Sequence, residues 1–320
     1  MDQKVIDNIF VSERYLVAGR GFVGLSIAYF LKKLAPQSEV LLYDPNPLCT
    51  SASGAASGLL EPITGRMATS TARAAEGMEA TRALLDVVSD HLGGKVYIGG
   101  GVLHPPMNLV QRNIYKNKVL QHPEQFAFDE EGVFVVKEGI NVFSRLYLEG
   151  LFSLVQSMGV QFIPKKVPFD EPAKRIFLGI GAGIEEFFPG QFSLTRGQAM
   201  EVKRGATHFT LPKVHKGYIA LDADPDIYHV GSTYERENLD KEPDSNKAIE
   251  ELKRRNEEIY PEVHNVEILA VRSGVRVYAG QIKLPQIIQK GPNVVALTGF
   301  GSKGLLYHAL YAQELVEKHL

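Results

Sequence analysis

The run Tyr15-Leu-Val-Ala-Gly-Arg-Gly-Phe-Val-Gly24 constrains this chain more than any other. A short β-rich segment leads into Gly19-x-Gly21-x-x-Gly24, and apolar residues at helical spacing follow it: Phe22, Val23, Ile27, Phe30, Leu31 and Leu34. The pattern predicts strand, glycine turn and helix. Gly19 would form the tight turn, Gly21 would admit a pyrophosphate against the backbone, and Gly24 would let helix and strand pack closely. At Phe22 and Val23, where the helix begins, unpaired N–H groups and the positive end of the helix dipole stabilise phosphate charge without a lysine. A second strand, 40–43, ends in Asp44 about twenty residues beyond the last glycine, where an acid accepts hydrogen bonds from an adenosine ribose.

At 320 residues the chain is too long for one typical core and suits two domains, or one domain with a large insertion. The net charge of −2 implies no whole-chain affinity for polyanions, so a nucleic-acid surface would have to be a local patch. The single cysteine, Cys49, excludes an internal disulfide and any multi-cysteine metal site, and fits a reducing compartment. In its loop it reads as a packing residue rather than a nucleophile or a covalent cofactor attachment. Residues 1–13 are too polar for a secretory leader, and no apolar run approaches the roughly twenty residues that span a bilayer. A soluble, cytoplasmic protein is the expectation.

After Asp44 comes a loop of small residues, 45–58, that includes Ser53, Ala55, Ala56, Ser57 and Gly58 and runs into Leu59-Leu60. Small side chains let backbone approach a large flat or charged ligand; the alternative is a flexible linker. Residues 67–92 read as one long helix, with a break at Gly77 as a variant, stopped by Gly93-Gly94. The texture then turns to short β-like runs at 96–98 and 133–136, separated by a polar surface excursion at 108–125. A helix at 143–158 and strands at 160–163 and 175–180 return to βα texture, closed by Gly179-Ile-Gly-Ala-Gly183, which passes beside the ligand or is simply a turn. Strands are expected at 200–204, 216–221 and 227–233, then a polar helix at 244–260 whose alternating charges read as a solvated face. The chain closes with strand 294–297, the turn Thr298-Gly-Phe-Gly-Ser-Lys-Gly304 and a helix to the C-terminus, so a second helix N-terminus points out of the same sheet.

Taken together, the chain resembles the D-amino-acid oxidase or glycine oxidase family of FAD-dependent oxidoreductases from end to end. The resemblance rests on Gly19-x-Gly21-x-x-Gly24 with Asp44, the loop Ser53-Gly-Ala-Ala-Ser-Gly-Leu-Leu60, and the segments Thr195-Arg-Gly-Gln198, Gly274-Val-Arg276 and Gly299-Phe-Gly-Ser-Lys-Gly-Leu305. It implies an α/β fold: an FAD-binding Rossmann-like domain of the glutathione-reductase type, built from residues 1–92, 140–190 and 277–320. A substrate domain with an antiparallel sheet would take 93–139 and 191–276. The cofactor would be non-covalent FAD, with Ala56–Leu59 along the flavin, Val167 on the adenine side, Gly181 and Ala182 lining the site, and Gly301, Ser302, Lys303 and Gly304 offering N–H groups to the flavin's N1–C2=O edge. Arg276 matches the arginine that pairs with a substrate carboxylate, and Tyr218 is a candidate for a second carboxylate contact; a strand-edge arginine and a core-facing tyrosine are the alternatives.

Three departures bear on the substrate. Val277 follows Arg276 where proline is frequent, Gln281-Ile-Lys-Leu-Pro285 replaces an acid and a proline, and Ser302-Lys303 stands where the glycine-oxidase type has an arginine. The last turn looks closer to the oxidase half of the bifunctional tRNA wobble-uridine modification enzyme. The resemblance implies oxidation of a C–N bond in an amino acid or secondary amine by hydride transfer to flavin N5, with oxygen or another electron acceptor as second partner. A modified tRNA base or protein-bound amine is the alternative substrate, helped by Lys203, Arg204, Lys213 and Lys216 at the pocket mouth; a flavin-binding redox module without turnover is the third reading. No metal is expected, because the nine histidines show no ligand spacing.

Overall fold

The computed structural model describes residues 13–65, 67–280 and 284–320. Its organising sheet has six strands in the order Gln161–Ile163, Glu39–Tyr43, Arg14–Ala18, Arg175–Leu178, Val294–Thr298 and Gln286–Lys290, all parallel except the last. The four inner strands are mostly apolar on both faces, as a sheet covered on both sides requires. Tyr15, Val17, Val40, Leu42, Phe177 and Val295 pack on one side under the helices Phe22–Leu34, Ala74–Leu92, Ser144–Ser157 and Gly304–His319. Leu16, Ala18, Leu41, Tyr43, Ile176 and Leu178 pack on the other, against Ile184, Phe188 and Val277.

An eight-stranded sheet carries the second layer, in the order Ile268–Tyr278, Ser193–Lys203, Ile227–Gly231, Tyr218–Leu221, Lys213–Val214, Val102–His104, Phe134–Val136 and Phe126–Phe128. It is antiparallel apart from the pairing of Lys213 with Leu103. Its two longest strands, Ser193–Lys203 and Ile268–Tyr278, pair from Ser193↔Tyr278 to Val202↔Ile268. The far end of Ile268–Tyr278 reaches the organising sheet: Gly301 N–H donates to the Val277 carbonyl at 2.7 Å, and Tyr278 bridges to Phe300. That junction sets Arg276 beside the last glycine turn.

Two elements differ from the sequence expectation. The excursion at 108–125 is a helix, Leu109–Gln121, whose N-cap Asn108 accepts from Gln111 N–H at 2.9 Å; the cap satisfies an end that composition alone left unformed. The helix expected from Met67 begins only at Ala74, because Thr69–Ser70 pairs back on Ile63–Thr64 and Arg73 turns with φ of 57°. Gly77 does not break it. A Cβ there would meet the Leu306 carbonyl oxygen at 2.6 Å, so this glycine lets the helix lie close against Gly304–His319. The substituted segment at Gln281 lies partly outside the described residues, since Gln281, Ile282 and Lys283 are not described. No described helix is long and apolar enough to cross a membrane.

Candidate functional site

The first glycine turn is built for close approach. Gly19 has φ of +100°, a conformation that side chains resist, and a Cβ on Gly24 would overlap the Gly19 carbonyl oxygen. Gly24 therefore serves the packing of helix on strand and leaves the turn's outer edge to the cleft. Asp44 closes that edge: Oδ2 accepts from Arg20 N–H at 2.7 Å and Oδ1 accepts from Asn46 N–H at 2.9 Å. The Arg20 guanidinium lies over the Phe162 ring at 4.0 Å and donates to the Asn46 carbonyl at 2.8 Å, tying the turn to the residues after Asp44. Ser53 reaches the helix start, where its Oγ accepts from Phe22 N–H at 3.2 Å.

These elements open into one cleft of about 880 Å³. Gly19, Gly21, Phe22 and Val23 line it, with Asp44, Ser53, Ala55, Ala56, Ser57, Gly58 and Leu59 beyond them. Val167, Gly181 and Ala182 form another wall, and Gly301, Ser302 and Gly304 the end of a third. Tyr218 and Arg276 complete the set from the eight-stranded sheet. Two expected residues stand apart. Gly24 lies beneath the turn, and Lys303 sends its ammonium to Thr71 Oγ1 at 2.8 Å.

Within the last turn, Gly301 N–H is taken by Val277 and Lys303 N–H by the Phe300 carbonyl at 2.9 Å. Ser302 and Gly304 are thus the turn's better placed donors. A Cβ at Gly181 or Gly304 would meet nothing within 4 Å, so bare backbone faces open cleft at two walls. A cradle of this kind accepts a flat ring or a pyrophosphate without side-chain obstruction.

Above the turn the groups are of a different kind. Arg276 Nη1 is buried without a hydrogen-bond partner, its Nη2 is 3.4 Å from Ser232 Oγ, and its guanidinium sits against Gly197. Tyr218 OH lies 2.7 Å from Ser57 Oγ. Burial pushes the Tyr218 phenol above its ordinary value, so it stays protonated at neutral pH. A fixed cation with a free donor beside a neutral hydroxyl is the donor set for a carboxylate. Sequence reading gave no site role to Arg20, Arg196, Ser232, Tyr234 or Thr298, although Arg196 and Thr298 stand in segments it marked; all five line the same cleft. The available signal for Ser232 and Tyr234 was Gly231-Ser-Thr-Tyr234 at the end of a predicted strand, where side chains face a cleft.

Over residues 14–318 the chain matches the family described as FAD dependent oxidoreductase, DAO. The chain belongs to that family. Its cofactor is FAD and it is an oxidoreductase, and the two-walled glycine cradle agrees with a long dinucleotide. The fold is similar to glycine oxidase from Geobacillus kaustophilus, with a TM-score of 0.77 at 16% identity, covering 96% of this chain and 95% of that one. It is also similar to iminodiacetate oxidase (IdaA) from Chelativorans sp. BNC1, with a TM-score of 0.77 at 17% identity over 95% and 94% of the two chains. L-proline dehydrogenase from P. horikoshii has a TM-score of 0.74 at 14% identity over 96% and 92%. No curated protein matches the chain by sequence.

Proposed function

We propose that this protein oxidises the C–N bond of a small amino acid or N-substituted amino acid that carries a free carboxylate. The observation that carries the proposal is the unpartnered, buried Nη1 of Arg276 at the cleft wall, beside Ser232 and Tyr218. A buried donor left without a partner is costly, and an incoming carboxylate satisfies it. FAD, when bound, would supply the two-electron acceptor for hydride leaving the carbon next to nitrogen, and the resulting imine would hydrolyse in water. This chain's residues do the rest. Arg276 would fix the carboxylate by parallel hydrogen bonds, Tyr218 would donate to it or hold Ser57 at the cleft wall, and the walls exclude water.

FAD is held without a covalent bond on this reading. Asp44 would take the ribose, Gly21, Phe22 and Val23 the pyrophosphate, Val167 the adenine side, and Ser302 and Gly304 the flavin's N1–C2=O edge. The segments 1–92, 140–190 and 277–320 form the cofactor domain and 93–139 and 191–276 the substrate domain. The strand Ile268–Tyr278 crosses the last boundary by two residues.

A tRNA substrate draws less support. Lys203 pairs with Glu267 at 3.8 Å, Arg204 with Asp226 at 3.1 Å and Lys216 with Glu258, Lys213 lies over the Phe209 ring, and none of the four lines the cleft. The iminodiacetate oxidase and glycine oxidase likenesses agree with a compact carboxylate substrate. The test is to add glycine, N-methylglycine, iminodiacetate and proline to the yellow protein without air and follow flavin absorbance. Bleaching by at least one is expected. Failure of all four, with dithionite still reducing the flavin, would favour the redox-module reading.

A further inference from the structure

We infer that Tyr234 sets how large a substrate Arg276 can take. The inference rests on the carboxylate reading of Arg276 and adds a residue that the chain's motifs do not mark. The Tyr234 ring lies 5.2 Å from the Arg276 guanidinium and 5.6 Å from that of Arg255. It lines the cleft, yet 56% of the residue is exposed, so the ring stands at the boundary between cleft and solvent instead of packing into a core. Two cations over one aromatic ring hold it by attraction to the π face. Arg255 is itself fixed, donating to the Ser232 carbonyl and lying 3.4 Å from Glu251.

The segment that carries Tyr234 is tied down. Arg196, which is buried, donates through Nη2 to the carbonyls of Leu239 at 2.7 Å and Lys241 at 2.6 Å, and its Nη1 is 3.5 Å from Glu235. The backbones of Arg196 and Glu235 exchange hydrogen bonds of 2.8 and 2.9 Å. Arg196 thus positions the segment that carries Tyr234. A ring so held blocks the volume beyond the carboxylate anchor: a compact carboxylate fits beneath it and a bulky one meets the ring.

Inert carboxylates that perturb the flavin spectrum test this without turnover. Acetate and benzoate are titrated into the FAD-loaded protein, the Tyr234→Ala and Tyr234→Phe variants, and Arg276→Ala. Tyr234→Ala is expected to raise the affinity for benzoate relative to acetate by about tenfold or more, with Tyr234→Phe matching the wild-type ratio because it keeps the ring. An unchanged ratio in Tyr234→Ala, in protein that keeps its FAD and still loses acetate binding on Arg276→Ala, overturns the inference and leaves the anchor standing. If Arg276→Ala binds both ions as the wild type does, the anchor reading itself falls and the inference with it.

Discussion

Ser57 and Tyr218 meet at 2.7 Å across the cleft, hydroxyl to hydroxyl, although 161 positions separate them in the chain. One belongs to the small-residue loop that follows the dinucleotide turn, the other to the sheet that carries Arg276. This bond fixes the distance between the two halves of the site. Tyr218→Phe is expected to raise KM for a carboxylate substrate by about two- to tenfold, the cost of one neutral hydrogen bond, with little change in kcat. Steady-state kinetics on the substrate found by flavin bleaching checks it; a large fall in kcat with KM unchanged would assign Tyr218 a chemical role instead.

Asp44 accepts from Arg20 and Asn46 through separate oxygens. Asp44→Ala should weaken FAD retention by about 1–3 kcal/mol, through lost hydrogen bonds to the ribose and a loosened turn. The far-ultraviolet circular dichroism should stay native. Equilibrium dialysis of FAD measures the loss, and unchanged affinity in a folded variant would remove Asp44 from the site.

Gly24 has no room for a methyl group against the Gly19 carbonyl. Gly24→Ala should destabilise the fold by about 1–3 kcal/mol or more, since the Gly19 carbonyl it would meet is backbone and cannot step aside as a side chain can. Thermal unfolding of the FAD-free protein checks it, and a melting point equal to the wild type's would contradict the packing role.

His308 is fully buried, with Tyr147 OH 2.8 Å from Nε2 and the Leu305 carbonyl 2.9 Å from Nδ1. Burial lowers its pKa to about 4, so the folded protein holds it neutral while an unfolded chain titrates near 6.5. The unfolded state therefore binds more protons between these values. His308 contributes stability that is fully present above about pH 6.5 and lost as pH falls toward 4, about 3 kcal/mol in all. Denaturant unfolding at intervals over that window should show the fall, and His308→Gln should flatten it. An equal slope in the variant would assign the loss to other groups.

Much of this fold was legible because its strongest signals are local. Glycine spacing, the acid at Asp44 and the second strand–turn–helix all follow from steric rules within about twenty residues. The helix Leu109–Gln121 was not, because its apolar residues Leu109, Val110 and Leu120 are exposed and only three others contribute to a buried face. Helical periodicity is a record of burial, and this helix has little. In the site, Arg276 was found through its neighbours in sequence, while Tyr234 became visible, and the already marked Arg196 gained a role, only once the long strand pairing brought 193–203, 227–231 and 268–278 together. Hydrogen bonds such as Arg196 to Leu239 join residues that no sequence pattern relates.

The most direct measurement is the rate of anaerobic flavin reduction by a carboxylate-bearing amine in wild type, Arg276→Lys and Arg276→Ala. An unpaired carboxylate beside a flavin gaining negative charge opposes hydride transfer, and losing the bidentate partner costs roughly 2–5 kcal/mol. The alanine variant should keep its yellow FAD and lose at least about a hundredfold in reduction rate per unit substrate, with lysine intermediate and an amine lacking the carboxylate much less affected. Reduction of the alanine variant at the wild-type rate by the same amino acid would show that Arg276 is not the anchor.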